Sequence, residues 1–299
     1  MEELFMLART GIELLELCEK HNISLSEYAI RCEVEEKGLT RDKVIEMMKK
    51  NLKVMILAAN EGMGKEVYSV SGLIGGDGFK LYNYAKEGKT LTGAVTNMAM
   101  AMALSSSEVN ASMGKIVACP TAGSCGILPA VILSAGKKLE LDEEGLLRGL
   151  FAAAAVGIII GLNATLSGAE GGCQAECGSA SAMGAAAVVE MMGGTPQMSL
   201  DAAAIILKNV LGLVCDPVAG LVEIPCAKRN VQGAITALCT ADMVMAGVSS
   251  KIPFDDTVSA MYKVGKALPS SLRETALGGV ATTKEGLRLK EKVFGKDNE

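Results

Sequence analysis

The sequence predicts an all-α fold: a single helical domain whose chemistry sits on loops at helix ends. Three observations point there. The apolar mass is large but small in grain: 49% hydrophobic residues, only 3% aromatic, no tryptophan and 17 methionines. Such side chains suit close helix–helix packing better than a β-sandwich. Apolar residues recur at helical spacing through most of the chain. No alternating apolar–polar run exceeds about five residues, and no repeat recurs at a fixed period.

Taken in order, the first 60 or so residues read as amphipathic helices. SLSE, residues 24–27, has the spacing of a capping box. In residues 41–62, Val44, Met48, Leu52 and Met55 fall on one face, and Gly62 and Gly64 end that helix. SGLIGGDG, residues 71–78, reads as a tight glycine turn; it lacks the Lys-Ser/Thr of a P-loop and does not fit GxGxxG. Helices are expected over residues 91–109, from the PTAGSCG turn (residues 120–126) past Pro129, and over 144–162, 173–192, 199–214 and 228–248. No Pro/Ser-rich linker divides the chain. Residues 1–299 are therefore expected to form one domain, with 1–65 as its N-terminal helical segment.

Composition also excludes. Net charge is −5 with no basic stripe or interleaved aromatics, which argues against nucleic acid as a partner. The longest apolar stretch, FAAAAVGIIIGL at 151–162, is well short of the roughly 20 residues a membrane span needs and reads as a buried helix. MEELFMLART carries no apolar signal region, so a cytoplasmic, reduced protein is expected, its nine cysteines free for metal or catalysis.

Cys18, Cys32 and Cys239 lie in helical patterns and read as packing residues. Cys119 and Cys125 flank the PTAGS turn, and Cys173 and Cys177 share a helix face. Cys215 and Cys226 frame the connector CDPVAGLVEIPC. Asp216-Pro217 stops the helix before Cys215. Cys173 and Cys226 sit near helix starts, where the dipole favours thiolate. There is no CxxC pair, so a zinc ribbon or ferredoxin-type run is excluded. Spacing alone leaves two readings of Cys173, Cys215 and Cys226: a soft-metal or iron–sulfur site, or three buried thiols.

Four stretches resemble the iron–sulfur-dependent L-serine dehydratases. GAEGGCQAECGSASAMGAAAVVEMMGG (168–194) is similar to their GGCQAE motif and CDPVAGLVEIPCAKRN (215–230) to their second signature. VNASMGKIVACPTAGSCGILPAV (109–131) is similar to a third. RETALGGVA (273–281) resembles their C-terminal motif, with Ala276 in place of an expected Ser. The motifs span residues 70–281 in order, and the chain ends where the α chain of the two-chain form is expected to end.

The resemblance implies a 4Fe–4S cluster on Cys173, Cys215 and Cys226, with Cys177, Cys119 and Cys125 outside the ligand set. It implies an L-serine ammonia-lyase that makes pyruvate and ammonia without pyridoxal phosphate. Three thiolates leave one iron open to act as a Lewis acid on the serine hydroxyl. The PTAGSCG turn offers backbone N–H groups for the substrate carboxylate, with Thr121, Ala122, Gly123 and Ser124 as contacts. Lys228 and Arg229 either orient that carboxylate or offset the cluster's charge. Alternatives are a cluster-dependent lyase for L-threonine or L-cysteine, and a non-catalytic redox subunit. His21 is the only histidine and lies outside the motifs. The general base is therefore expected from a β chain, in an oligomer of αβ units.

Overall fold

The predicted helices form, and no strand interrupts them among the described residues; the computed structural model describes residues 7–295. The N-terminal part is α1 (Gly11–His21), α2 (Leu25–Lys37) and α3 (Arg41–Gly64). Thr10, Ser24 and Thr40 cap them, each side chain accepting from the backbone N–H three residues on. The cap read from SLSE is thus present. Residues 71–78 form a turn closed by an isolated bridge between Tyr68 and Gly75. It leads into α4 (Asp77–Lys86) and α5 (Gly93–Ala111). Then follow α6 (Ile127–Lys138), α7 (Glu143–Asn163), the single turn α8 (Gly168–Gly171), α9 (Ser179–Met191) and α10 (Pro196–Asn209). Last come α11 (Cys226–Met245), α12 (Phe254–Ala267) and α13 (Lys284–Phe294).

The core is built around α9. Every residue from Ser179 to Val189 is buried, and the helix packs against α6, α7, α10 and α11. A helix apolar all round has no outward face, so it belongs in the centre. Its Ala, Ser and Gly side chains let neighbours come close. On α11, a Cβ at Gly233 would lie 2.5 Å from Ser181 Oγ and 2.7 Å from Ile127 Cδ1. By length and composition α7 is long and apolar enough to cross a membrane, but 67% of its most apolar window is buried inside the structure. It packs between α2 and α9 as a core helix.

Three acidic side chains cap helices from a distance. Asp255 accepts from the N–H groups of Gly11 (2.6 Å) and Ile12 (3.1 Å) at the start of α1. Glu190 accepts from Ser26 N–H at 3.3 Å at the start of α2. Glu108 accepts from Asp77 N–H at 2.6 Å at the start of α4. Each puts negative charge where the helix dipole is positive and satisfies otherwise unpaired donors.

Some boundaries and burials differ from the sequence expectation. The helix expected to reach residue 214 stops at Asn209, because the chain turns through Gly212 at φ +83°. The helix expected over 173–192 opens with a π-turn, Gln174–Gly178, before α9. Cys239, expected to pack inside, is exposed on α11, whereas Cys18 and Cys32 are buried as expected. His21 ends α1 and is half-buried.

Candidate active site

Three loops deliver three thiols to one place. Cys173 lies between α8 and the π-turn, and Cys226 is the first residue of α11. Cys215 sits on extended chain, its N–H donating to Leu272 O at 2.9 Å and its carbonyl accepting from Glu274 N–H at 2.7 Å. That pairing brings the RETA segment alongside. All three thiols are buried, and each lies within the electrostatic reach of the other two. The Arg229 guanidinium sits among them, its charge acting on Cys173 and Cys226. It is fixed by an ion pair with Asp216 (2.9 Å) and a hydrogen bond to Val214 O (2.8 Å).

Of the two cysteines near helix starts only Cys173 has a lowered pKa, and its causes are neighbouring side chains, not the dipole. Burial pushes the Cys226 thiol up to about 12, outweighing its place at the start of α11. Cys215 is likewise raised by burial. Cys173 is lowered, first by a hydrogen bond from Cys177 and then, against burial, by Arg229. Soft donors gathered around a fixed cation fit an iron–sulfur cluster, whose net charge is negative, better than a hard cation. A tighter group overlaps this one: Cys173, Glu176 and Cys177 bring one ligand atom each within 4.8 Å of one another. That spacing suits a single ion, whereas a cubane spreads its thiolates over separate irons.

The PTAGSCG turn stands next to the thiols. Asn230, one turn into α11, donates from Nδ2 to Gly123 O (2.7 Å) and to Cys226 O (2.9 Å). Its Oδ1 accepts from Gly126 N–H at 2.9 Å. The carbonyl of Ala122 accepts from Asn110 Nδ2 at 3.1 Å and that of Thr121 from Cys119 N–H at 3.2 Å. In a trans peptide the N–H points away from its own C=O. Three tethered carbonyls therefore turn the N–H groups of Ala122, Gly123 and Ser124 the other way. None of the three donates to a partner among the described residues. Consecutive free N–H groups of this kind make an anion-binding concavity.

Of the two basic residues expected here, the structure brings Arg229 to the thiols. Lys228 is instead engaged by Asp77 on α4 at 2.5 Å, its side chain 60% exposed.

Sequence reasoning missed two buried side chains of the GGCQAE motif. Glu176 accepts a hydrogen bond from Thr121 Oγ1 and is pressed against Gly123, where a Cβ would fall 2.5 Å from Oε1. Burial raises its pKa. Gln174 donates to Gly171 O (2.9 Å) and Met261 O (3.0 Å) and accepts from Gly212 N–H (2.9 Å). Both residues stand in the GGCQAE motif, but only their tertiary contacts give them a place at the site.

Comparison with known proteins gives the family. The family profile described as "Serine dehydratase alpha chain" matches residues 20–281. The chain belongs to the serine dehydratase alpha chain family. It is 49% identical to the probable L-serine dehydratase, alpha chain, of Bacillus subtilis (strain 168), over 95% of this chain and 94% of that one. It is 44% identical to the L-serine dehydratase, alpha chain, of Peptoniphilus asaccharolyticus, over 94% and 96%. A third relative, the L-serine dehydratase of Streptomyces coelicolor, is 38% identical over 91% of this chain but only 60% of its own length. Cys173, Cys177, Cys215, Cys226 and the PTAGSCG turn lie inside the stretch that matches the serine dehydratase profile.

Proposed function

We propose that this chain is the α chain of an L-serine dehydratase, a lyase that converts L-serine to pyruvate and ammonia, acting in the cytoplasm. Cys173, Cys215 and Cys226 would hold a 4Fe–4S cluster. The observation that carries the reading is the contact of two motifs through Asn230, which sets a three-donor anion cradle beside three converging thiols. When bound, the cluster supplies a Lewis acid for the departing hydroxyl.

The chain's own groups do the rest of the positioning. The N–H groups of Ala122, Gly123 and Ser124 receive the substrate carboxylate, at fixed geometry and without reorganisation. Ser124, buried within the turn, braces it: its hydroxyl lies 3.2 Å from Thr121 Oγ1 and donates to Thr121 O at 3.4 Å. Arg229 offsets the negative charge gathered by the thiolates, and burial of the thiols excludes water from their surroundings. The proton on the substrate Cα needs a base, and histidine is the commonest near neutral pH. The only histidine, His21, closes α1, whereas the candidate site is built from the loops around α6, α9 and α11. We assign the base to a β chain docked over the turn, in an oligomer of αβ units. The longer Streptomyces relative, of which this chain spans 60%, supports a further portion of this kind.

The test is to prepare the protein without oxygen, measure iron and sulfide, and assay L-serine with and without the β chain. Iron at about four per chain and β-dependent pyruvate formation are expected. Iron-free protein would defeat the proposal, and iron unresponsive to serine would favour a redox subunit. Parallel assays with L-threonine and L-cysteine decide the side chain accepted.

A further inference from the structure

Glu176 has one oxygen in use and one to spare. Oε1 takes the Thr121 hydroxyl, while Oε2 accepts no hydrogen bond among the described residues, in a residue only 8% exposed. A carboxylate oxygen with no protein donor, on a side chain otherwise covered, is placed to accept from a ligand.

Small residues surround that oxygen. Two glycines wall it: a Cβ would lie 3.1 Å from Oε2 at Gly123 and 3.5 Å from it at Gly168. The same Gly168 position is 3.1 Å from Cys215 Sγ and 3.2 Å from Glu274 Oε2. Two carboxylates and a thiol thus converge beside Gly168. The carboxylates repel one another, and Arg229, the cation acting on Glu176, is already paired to Asp216. Two acceptors facing one small space call for a cationic donor.

We infer that Glu176, assisted by Glu274, anchors the α-ammonium group of the substrate. This rests on the proposed reading of the turn as a carboxylate cradle, and it deepens that reading. The site then takes both charged ends of an α-amino acid, and it rejects the 2-hydroxy acid of the same shape, which brings no cation to the two carboxylates. Charge-assisted hydrogen bonds at both ends leave the side-chain hydroxyl aimed toward the thiols.

The probes are L-alanine and L-lactate, which share a carboxylate, a methyl group and handedness, and neither of which has a β-hydroxyl to eliminate. Calorimetry on the anaerobic, cluster-loaded αβ complex is expected to show L-alanine bound about tenfold or more tightly than L-lactate. Glu176→Gln is expected to bring that ratio close to one, with iron content and L-lactate affinity unchanged. Glu274→Gln, at an exposed position, provides a milder variant and is expected to narrow the ratio in part. A ratio untouched by both substitutions overturns the assignment. Loss of iron from Glu176→Gln also overturns it, because Glu176 would then serve the metal. Failure of both probes to bind the unaltered complex instead defeats the carboxylate cradle itself.

Discussion

Asn230 holds the carbonyl of Gly123 at 2.7 Å while its other amide atom receives the N–H of Gly126 at 2.9 Å. One buried side chain on the cysteine-bearing helix thereby sets the shape of a turn 107 residues earlier in the chain. Asn230→Ala would strand a buried carbonyl and a buried N–H, each costing about 1–3 kcal/mol. The cradle should loosen while the thiols stay in place. The KM for serine is expected to rise roughly tenfold or more, since 1.4 kcal/mol is a factor of ten, with iron content unchanged and a smaller effect on kcat. An unaltered KM would remove the asparagine from the site.

Cys173→Ser, Cys215→Ser and Cys226→Ser are each expected to abolish retention of iron and sulfide, and Cys177→Ser to keep both. Inductively coupled plasma analysis of anaerobic protein separates this from the tighter grouping of Cys173, Glu176 and Cys177. Iron lost from Cys177→Ser but kept by Cys215→Ser would transfer the site to that group.

An iron with an open position is accessible to oxidants, so activity is expected to decay in air and to return with iron, sulfide and reductant. Hours of undiminished turnover in air would argue against a substrate-binding iron.

Glu108, at the start of α4, supplies a pH effect of its own. Burial pushes its pKa up to about 7, against the Asp77 and Gly78 N–H groups and the Lys228 charge, and with the Asp77 charge. The unfolded value is near 4.3. The folded form therefore holds its proton more tightly, and the stability this contributes is present below about pH 4 and is lost as pH rises through 7. From pH 5 to pH 8 the loss is on the order of 2 kcal/mol. Glu108→Gln should flatten that part of the profile, as read from urea midpoints at the two pH values. Identical slopes in both proteins would contradict the assignment.

Local signals were legible in the sequence. The SLSE cap, the helix over 91–109, the glycine turn and the motif cysteines all depend on residues a few positions apart or on a match to a family pattern. What the sequence hid is tertiary. Thr121 meets Glu176 across 55 residues, and Gly11 meets Asp255 across 244. Nothing in the neighbourhood of a glutamate announces a hydroxyl or a helix end that far along the chain. Cys239 misled for a related reason: in ITALCTADMV the apolar residues surround the helix, and only the packing of α11 on α9 decides which side faces water. Burial raises the Cys215 and Cys226 thiols and a hydrogen bond from Cys177 lowers Cys173, and a helix-dipole argument leaves out both.

Gln174 spends both ends of its amide on three different segments: the end of α8, the middle of α12 and the loop that leads into Cys215. The backbone on either side of two motif thiols is therefore braced by protein alone. In a zinc finger the metal is the scaffold, and stripping it unravels the chain. On the proposed reading the order is reversed: bonds such as those of Gln174 let the polypeptide complete its architecture first, and the cluster enters as cargo. Protein made without iron is then expected to be folded and empty, and to gain the proposed activity on delivery of iron and sulfide without being synthesised again.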